Sequence, residues 1–242
     1  MAQTRTQEAY ALPEWKGPLS HPFYSLVVKR ILDFLLALLL IIPCSLFMLP
    51  IALAVRLDSP GPIFYRAPRG GYRNKTFYIF KFRTMVQDAD KTGGTTALND
   101  ARITRVGWFL RKTKLDEIPQ LLNILKGDMS FIGPRPELLL YTKQYNKEQE
   151  CILWVRPGIS DESSLRYINQ DELVGTDNPV ENYEKYILPH KNAMRVEYAL
   201  NQSFLLDAKL FLRTVGGVFK KARRVVRETG SAGAAAQRKE NL

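Results

Sequence analysis

Two carboxylates stand side by side at Asp116 and Glu117, in the stretch TKLDEIPQLLN, and three arginines occupy positions next to turns or helix starts: Arg111, five residues before Asp116, Arg135 in GPRPE, and Arg156 in RPG. Guanidinium forks match the oxygens of a phosphate. Adjacent acids that face a diphosphate can divide the labour. One binds a hard cation such as Mg²⁺ while its neighbour attacks phosphorus, because the cation and the arginines neutralise the charge that would otherwise repel a carboxylate. The same pair also has a purely structural explanation, with Asp116 as a helix N-cap and Glu117 complementing the positive helix end, worth about 1 kcal/mol. Each arginine alone is equally an ordinary surface or salt-bridge residue. His21 and His190 are isolated, as are Cys44 and Cys151, so local spacing assembles neither a zinc cluster nor a Ser/His/Asp or Cys/His relay. Any metal would be a hard cation held by oxygens.

The segment that carries the acids has one apolar helical face, Ile118, Leu121, Leu122 and Leu125, at i, i+3, i+4 and i+7. Pro119 falls in the first turn, where its missing N–H does no harm, and Gly127 ends the run. A helix starting at Asp116 is therefore expected. Upstream, SPGPIFYRAPRGGYRNKTFYIFKFRTM is expected to form a β-hairpin, with one strand near Ile63 to Tyr65, a Gly-rich basic turn, and a second strand from Phe77 to Met85. Residues 86–105 are polar and loop-like. Downstream, SDESSLRYINQDELVGTDNPVENYEKYILPHK is expected to be helices and loops over the site, and residues 204–227 alternate apolar and basic positions as a membrane-surface helix does, or equally a packed surface helix. Residues 231–242, rich in Ala, Gly, Arg and Lys, are expected to be disordered.

From Phe34 to Val55 no residue is charged, long enough to span a bilayer. The run lies too far from the N-terminus for a signal peptide. Pro43 near its middle removes a backbone hydrogen bond, and basic residues flank both ends (Lys29 and Arg30, then Arg56), whereas a single crossing should leave one flank poor in Lys and Arg. A helix-break-helix that enters and leaves by one face satisfies both facts; a tilted, proline-kinked crossing is the alternative. The 242 residues carry 35 Lys and Arg against 24 Asp and Glu, a net charge of +11, so the surface attracts anions: nucleic acid, acidic lipid or phosphorylated substrate. Two distant cysteines suit a reducing compartment.

Taken together, KRILDFLLALLLIIP, SPGPIFYRAPRGG, FYIFKFRTM, RVGWFLRKTKLDEIPQLLNILKGDMSFIGPRPE and RPGIS make the chain, from about Lys29 to Arg213, resemble the bacterial sugar transferases of the small, monotopic phosphoglycosyl transferase type. The resemblance implies an α+β, mostly helical fold: an N-terminal arm (1–22), a re-entrant membrane helix broken at Pro43 (23–57), a catalytic domain with a small β-hairpin and interfacial amphipathic helices (58–227), and a disordered tail (228–242). It implies an enzyme on the cytoplasmic face of the bacterial inner membrane that transfers a phosphosugar from a UDP-sugar to polyprenyl phosphate and releases UMP. In that scheme Asp116 is the nucleophile, Glu117 the Mg²⁺ ligand, and Arg111, Arg135 and, more weakly, Arg156 hold phosphate groups. Membrane phospholipids are implied partners, nucleic acid is not, and a homodimer is left open. After RPGIS the chain departs from the common family pattern, with DESSLRYINQDELV in a region expected to influence sugar choice. Two rival readings are a membrane-tethered, anionic-lipid-binding module without catalysis, and a glycosyltransferase that releases UDP.

Overall fold

The computed structural model describes residues 21–89 and 100–217. The expected N-terminal arm up to residue 20, the C-terminal tail, and the part of the expected surface helix after residue 217 lie outside the described residues. What is described is mostly helical with two small two-stranded sheets.

Helix α1 (Lys29–Asp58) follows a single π-turn (Tyr24–Val28) and contains both Pro43 and Pro50. The sequence leads one to expect a break at Pro43, yet the residues on both sides are helical. Ser45 offers part of the physical reason: its hydroxyl donates to the Ile42 carbonyl at 2.6 Å, one of the side-chain devices by which a helix accommodates proline. Most of α1 shows apolar side chains outward, with Leu39, Ile42, Leu46, Leu49 and Leu57 all exposed. It is long and apolar enough to cross a membrane by length and composition.

Both ends of α1 are nevertheless fastened to one body. Near its start, Arg30 donates to the Ile124 and Leu125 carbonyls at 2.5 and 2.8 Å, and Asp33 accepts from the Phe131 N–H at 3.1 Å. Lys29 and Tyr24 both donate to Asp207 Oδ2 at 2.6 Å. Near its end, buried Arg83 donates to the carbonyls of Val55, Ser59 and Pro60, and Asp58 accepts from Val106 N–H at 2.9 Å.

The expected hairpin is present with a longer first strand and a second that ends three residues earlier: β1 (Phe64–Gly70) pairs antiparallel with β2 (Thr76–Phe82), Tyr65 opposite Lys81 and Ala67 opposite Ile79. Ala67, Phe77 and Ile79 pack with Ala37 of α1 and with Leu121, Ile124 and Met129, which makes one core of the long apolar helix, the hairpin and the acid-bearing segment. A second core joins Val55 of α1 to Phe82 and to Leu110 of α2 (Arg105–Thr113). Helix α3 (Gln120–Lys126) ends at Gly127, whose φ of 91° is strained for any other residue and whose N–H bonds to the Asn123 and Ile124 carbonyls.

A parallel pair not anticipated from the sequence follows: β3 (Ser130–Ile132) beside β4 (Gly158–Ser160). The approach demands glycine, since a Cβ at Gly133 would lie 2.3 Å from the Arg156 carbonyl and one at Gly158 2.2 Å from the Gly133 nitrogen. Short helices α4 (Leu139–Thr142), α5 (Glu162–Arg166), α6 (Gln170–Val174) and α7 (Pro179–Asn182) lead to α8 (Leu188–Asn201), the helices and loops expected for this region. Helical residues 204–217 follow, α9, burying Asp207 and Leu210 and exposing Phe204, Leu205 and Leu212.

Asp207 joins α9 to α1 and α8: besides Lys29 and Tyr24 it accepts from Tyr198 Oη at 2.5 Å. Asp207→Ala would leave the Lys29 ammonium buried and unpaired, a loss of about 3 kcal/mol and a Tm fall of about 10 °C. Thermal unfolding of the detergent-solubilised chain measures it; a Tm within 2 °C of wild type, on the order of the effect of a surface substitution, would deny Asp207 that role.

Candidate functional site

Asp116 and Glu117 sit in a single 3₁₀ turn, Leu115–Glu117, wedged between α2 and α3. Lys114, at φ 62°, is left-handed and ends α2, so the chain reverses at the acids. This differs from the expected helix start. Asp116 caps nothing: neither the turn nor α3 has a side-chain cap hydrogen bond, and Asp116 Oδ1 is buried without a hydrogen-bond partner. The structural explanation of the pair as cap and helix-end charge therefore does not describe it. Both residues are buried, at 6% and 8% exposure, which an unpaired acid does not tolerate without cause.

Glu117 is held from two sides. Lys81 of β2 donates to Oε1 at 2.9 Å, and the Arg135 guanidinium grips the same carboxylate with both Nη atoms, Nη2 on Oε1 and Nη1 on Oε2 at 3.3 Å. Arg135 is itself fixed, its Nη1 donating to the Ile159 carbonyl at 2.7 Å and its backbone N–H to Asp161 Oδ2 at 3.0 Å. The β3–β4 pair is what brings these partners together, because it lays the GPRPE turn beside residues 158–161. Asp161 is secured in turn by Ser163 Oγ at 2.8 Å, the Ser164 N–H at 2.6 Å and Arg195 Nε at 3.5 Å. Arg195, 1% exposed, also donates to Glu137 Oε1 at 3.0 Å.

The surroundings consequently push the two acids in opposite directions. Burial alone would raise Glu117, but Arg135 and Lys81 override it and hold that carboxyl well below the usual carboxylate range. Burial, then the neighbouring Glu117 charge, pushes Asp116 up, against the opposing pull of Lys81, Lys114 and Arg111. Burial also lowers Lys81, with the Glu117 charge working the other way. One acid is a fixed anion in an ionic clamp; the other has an oxygen with no partner and a proton affinity its surroundings can set.

Of the residues singled out from the sequence, Asp116, Glu117 and Arg135 come together directly. Arg111 stands on the last turn of α2 within electrostatic reach of Asp116, its Nε on Thr84 Oγ1 at 2.9 Å. Arg156 goes elsewhere: its Nε donates to the Gly127 carbonyl at 3.1 Å and its guanidinium lies 4.9 Å over the Tyr72 ring, so it closes the far end of α3 and does not join the acid pair. Three members went unnoticed in the sequence: Lys81, Asp161 and Arg195. Lys81 had a signal, a lone charge in the apolar strand YIFKF on the side that faces inward, which requires a carboxylate partner. Asp161 and Arg195 had none, because their partners lie far along the chain.

Among the described residues no three His, Cys, Asp or Glu side chains are grouped to cage a metal. Mg²⁺ asks for less, one or two carboxylates with substrate phosphates and water completing the shell. Glu117 Oε2, held only by the long Arg135 contact, could meet that demand, and Asp116 Oδ1 beside it is without partner.

The profile of the family described as bacterial sugar transferase matches residues 24–221. An Aeromonas hydrophila UDP-N-acetylgalactosamine-undecaprenyl-phosphate N-acetylgalactosaminephosphotransferase is 43% identical over 59% of the chain and 34% of its own length. The UDP-glucose:undecaprenyl-phosphate glucose-1-phosphate transferase of Escherichia coli K12 is 36% identical over 87% of the chain and 44% of its own length. An uncharacterized sugar transferase of Bacillus subtilis, EpsL, is 35% identical over 78% of the chain and 86% of its own length. The chain thus spans less than half of the first two relatives and most of the third.

Arg135→Leu would strand Glu117 with Lys81 alone in a dry setting and is expected to cost about 3 kcal/mol, whereas Arg135→Leu with Glu117→Gln should regain at least half of that by removing the uncompensated charge. Chemical denaturation of the three chains reads the difference; equal losses in single and double variants would show that the clamp contributes nothing beyond the arginine's packing.

Proposed function

Because the chain belongs to the bacterial sugar transferase family, we propose that it transfers a sugar 1-phosphate from a UDP-sugar to polyprenyl phosphate at a membrane surface. UDP-sugar as donor and undecaprenyl phosphate as acceptor are the classes that the names of the Aeromonas and Escherichia relatives share. The observation that carries the chemical part is the contrast between two adjacent buried carboxylates, one clamped by Lys81 and Arg135, the other with an oxygen free of protein partners.

In the proposed reaction Asp116 Oδ1 attacks the β-phosphorus of the UDP-sugar. A new O–P bond forms, the bond from that phosphorus to the oxygen bridging it to the α-phosphate breaks, and UMP leaves with the electron pair. A phosphate oxygen of the polyprenyl phosphate then attacks the aspartyl-bound phosphorus, the Asp116–phosphorus bond breaks, and polyprenyl-diphosphate-sugar departs with the carboxylate restored. Each phosphoryl transfer is in balance without an oxidant or an added proton donor. Two substrates of different solubility thereby use one site in turn. Asp116 must be deprotonated to attack, and Lys81, Lys114 and Arg111 all favour its anion. Arg111 and Arg135 would bind phosphate oxygens in this scheme, with Arg135 also keeping Glu117 in position. Glu117 Oε2 would be the protein oxygen that holds Mg²⁺, which when bound would supply positive charge at the phosphoryl oxygens.

The membrane arrangement is part of the proposal. About 30 Å of hydrocarbon separates the two faces of a bilayer. If α1 crossed it, a domain on one side could not hold both Arg30 and Asp33 near the start of the helix and Val55 and Asp58 near its end. The contacts at both ends favour a helix that dips into one leaflet and returns, with Pro43 and Pro50 as the points of bending. The exposed apolar residues of α9, Phe204, Leu205 and Leu212, and Trp108 and Phe109 of α2, with Lys112 over the Trp108 ring at 4.2 Å, suit the interfacial zone beside it. The cytoplasmic face of the inner membrane, where UDP-sugars are made, is the side proposed.

Asp116→Asn is expected to abolish nucleotide release from a panel of UDP-sugars with polyprenyl phosphate, by at least about 1,000-fold, with vesicle binding retained. Wild type should release UMP; release of UDP instead would mean transfer of the sugar without its phosphate. For the topology, cysteines at His21 and Pro60, in a chain with Cys44→Ala and Cys151→Ala, should both react with an impermeant maleimide from the cytoplasmic side only. Labelling from opposite sides would rule out the re-entrant arrangement.

A further inference from the structure

Strand β2 has a partner on one side only: its sheet contains β1 and β2, and the other edge would present bare backbone groups. A single side chain meets two groups of that edge. Asn123 of α3, fully buried, accepts from the Phe80 N–H through Oδ1 at 2.9 Å and donates through Nδ2 to the Tyr78 carbonyl at 2.8 Å. Its Nδ2 also lies 3.4 Å from Asp128 Oδ2. The carboxamide therefore does for residues 78 and 80 what the backbone of a neighbouring strand would do, with one donor and one acceptor in the same plane. The Asn123 backbone is equally occupied, its carbonyl accepting from the N–H groups of Gly127, Asp128 and Met129. Asn123 is thus immobile at both ends of its side chain.

The residue after Phe80 is Lys81, whose ammonium meets Glu117 six residues before Asn123. Two cross-links, Phe80 and Tyr78 to Asn123 and Lys81 to Glu117, join the same strand to the same turn-and-helix segment. Lysine is a flexible stem with a compact charge, and where its head lies depends on where the strand carries its Cα. We propose that Asn123 is a positioning residue for the reaction: by pairing with the open edge of β2 it sets Lys81 against Glu117, and hence the cationic surroundings of Asp116. Nothing else among the described residues hydrogen-bonds both groups of this edge. This rests on the assignment of the acid pair as the reacting centre.

The test is a double-mutant cycle on the full-length chain in nanodiscs: wild type, Asn123→Ala, Lys81→Met and the double variant, each followed by UMP release and by hydrogen exchange of the peptide that contains Phe80. If Asn123 acts through Lys81, Asn123→Ala lowers kcat/KM about 100-fold in the presence of Lys81 but less than about 3-fold once Lys81 is Met, and speeds Phe80 exchange about 10-fold or more. Equal factors in both backgrounds, unchanged kcat/KM in the folded variant, or unchanged exchange at Phe80 would overturn the proposal. Should Asn123→Ala not fold, Asn123→Leu, which loses both the acceptor for Phe80 and the donor to Tyr78, replaces it in the same cycle with the same criteria. A wild type that released no UMP would instead refute the assignment of the acid pair, while the exchange rates would still report whether Asn123 holds the strand.

Discussion

A buried carboxylate gripped by a guanidinium and an ammonium is the interaction on which the site depends. Glu117, Arg135 and Lys81 come from a turn, a β3-proximal loop and a hairpin strand, and no two of them are neighbours in the chain. Removing charges from water is costly, and that cost is recovered only when geometry is good and the remaining lone pairs and protons are satisfied. The arrangement around the clamp meets that condition: Arg135 has Ile159 and Asp161, Asp161 has Ser163, Ser164 and Arg195, and Arg195 has Glu137. The polar network propagates outward until it reaches α8. Much of the domain is thereby recruited to hold one anion still.

Holding that anion still leaves its neighbour free to act. Asp116 lies next to a fixed negative charge and is buried, both of which favour its protonated form, while three cations favour the anion. A bound diphosphate near those cations would alter that balance, so in the proposed reaction the charge state of Asp116 would be coupled to substrate binding. Membrane seating enters the same linkage, because Arg30 of α1 grips the C-terminal carbonyls of α3 and Arg83, two residues past Lys81, grips the end of α1. The segment that carries the acids is tied at its far end to the long apolar helix, which under the proposed arrangement would place chemistry and lipid interface in one unit.

Local signals made several of these parts legible in advance. A β-prone run around a Gly-rich basic turn pointed to the hairpin, the i, i+3, i+4, i+7 face pointed to α3, and a pair of adjacent acids near arginines pointed to the candidate site. What escaped notice depends on contacts between distant segments. The β3 and β4 strands are three residues each and lie far apart in sequence, so no periodicity announces them, yet they bring Arg135 to Glu117. Asp116 resembles an N-cap in every local respect, and only the left-handed Lys114 ahead of it, which reverses the chain, turns it away from that role. Proline usually interrupts a helix, but α1 continues through two of them. Arg156 resembles Arg135 in its Arg-Pro setting, and the fold sends one to the acids and the other to Tyr72 and Gly127.

The central assertion is that the carboxyl of residue 116 becomes bonded to phosphorus during turnover. Intact-mass and peptide spectra of the wild-type chain after exposure to a turnover-competent UDP-sugar, with acceptor withheld, test it most directly. An increment equal to one sugar phosphate, located on the peptide containing Asp116 and discharged when polyprenyl phosphate is added, is the predicted result. Unmodified protein under conditions that support full turnover with both substrates would contradict it and require direct transfer between them.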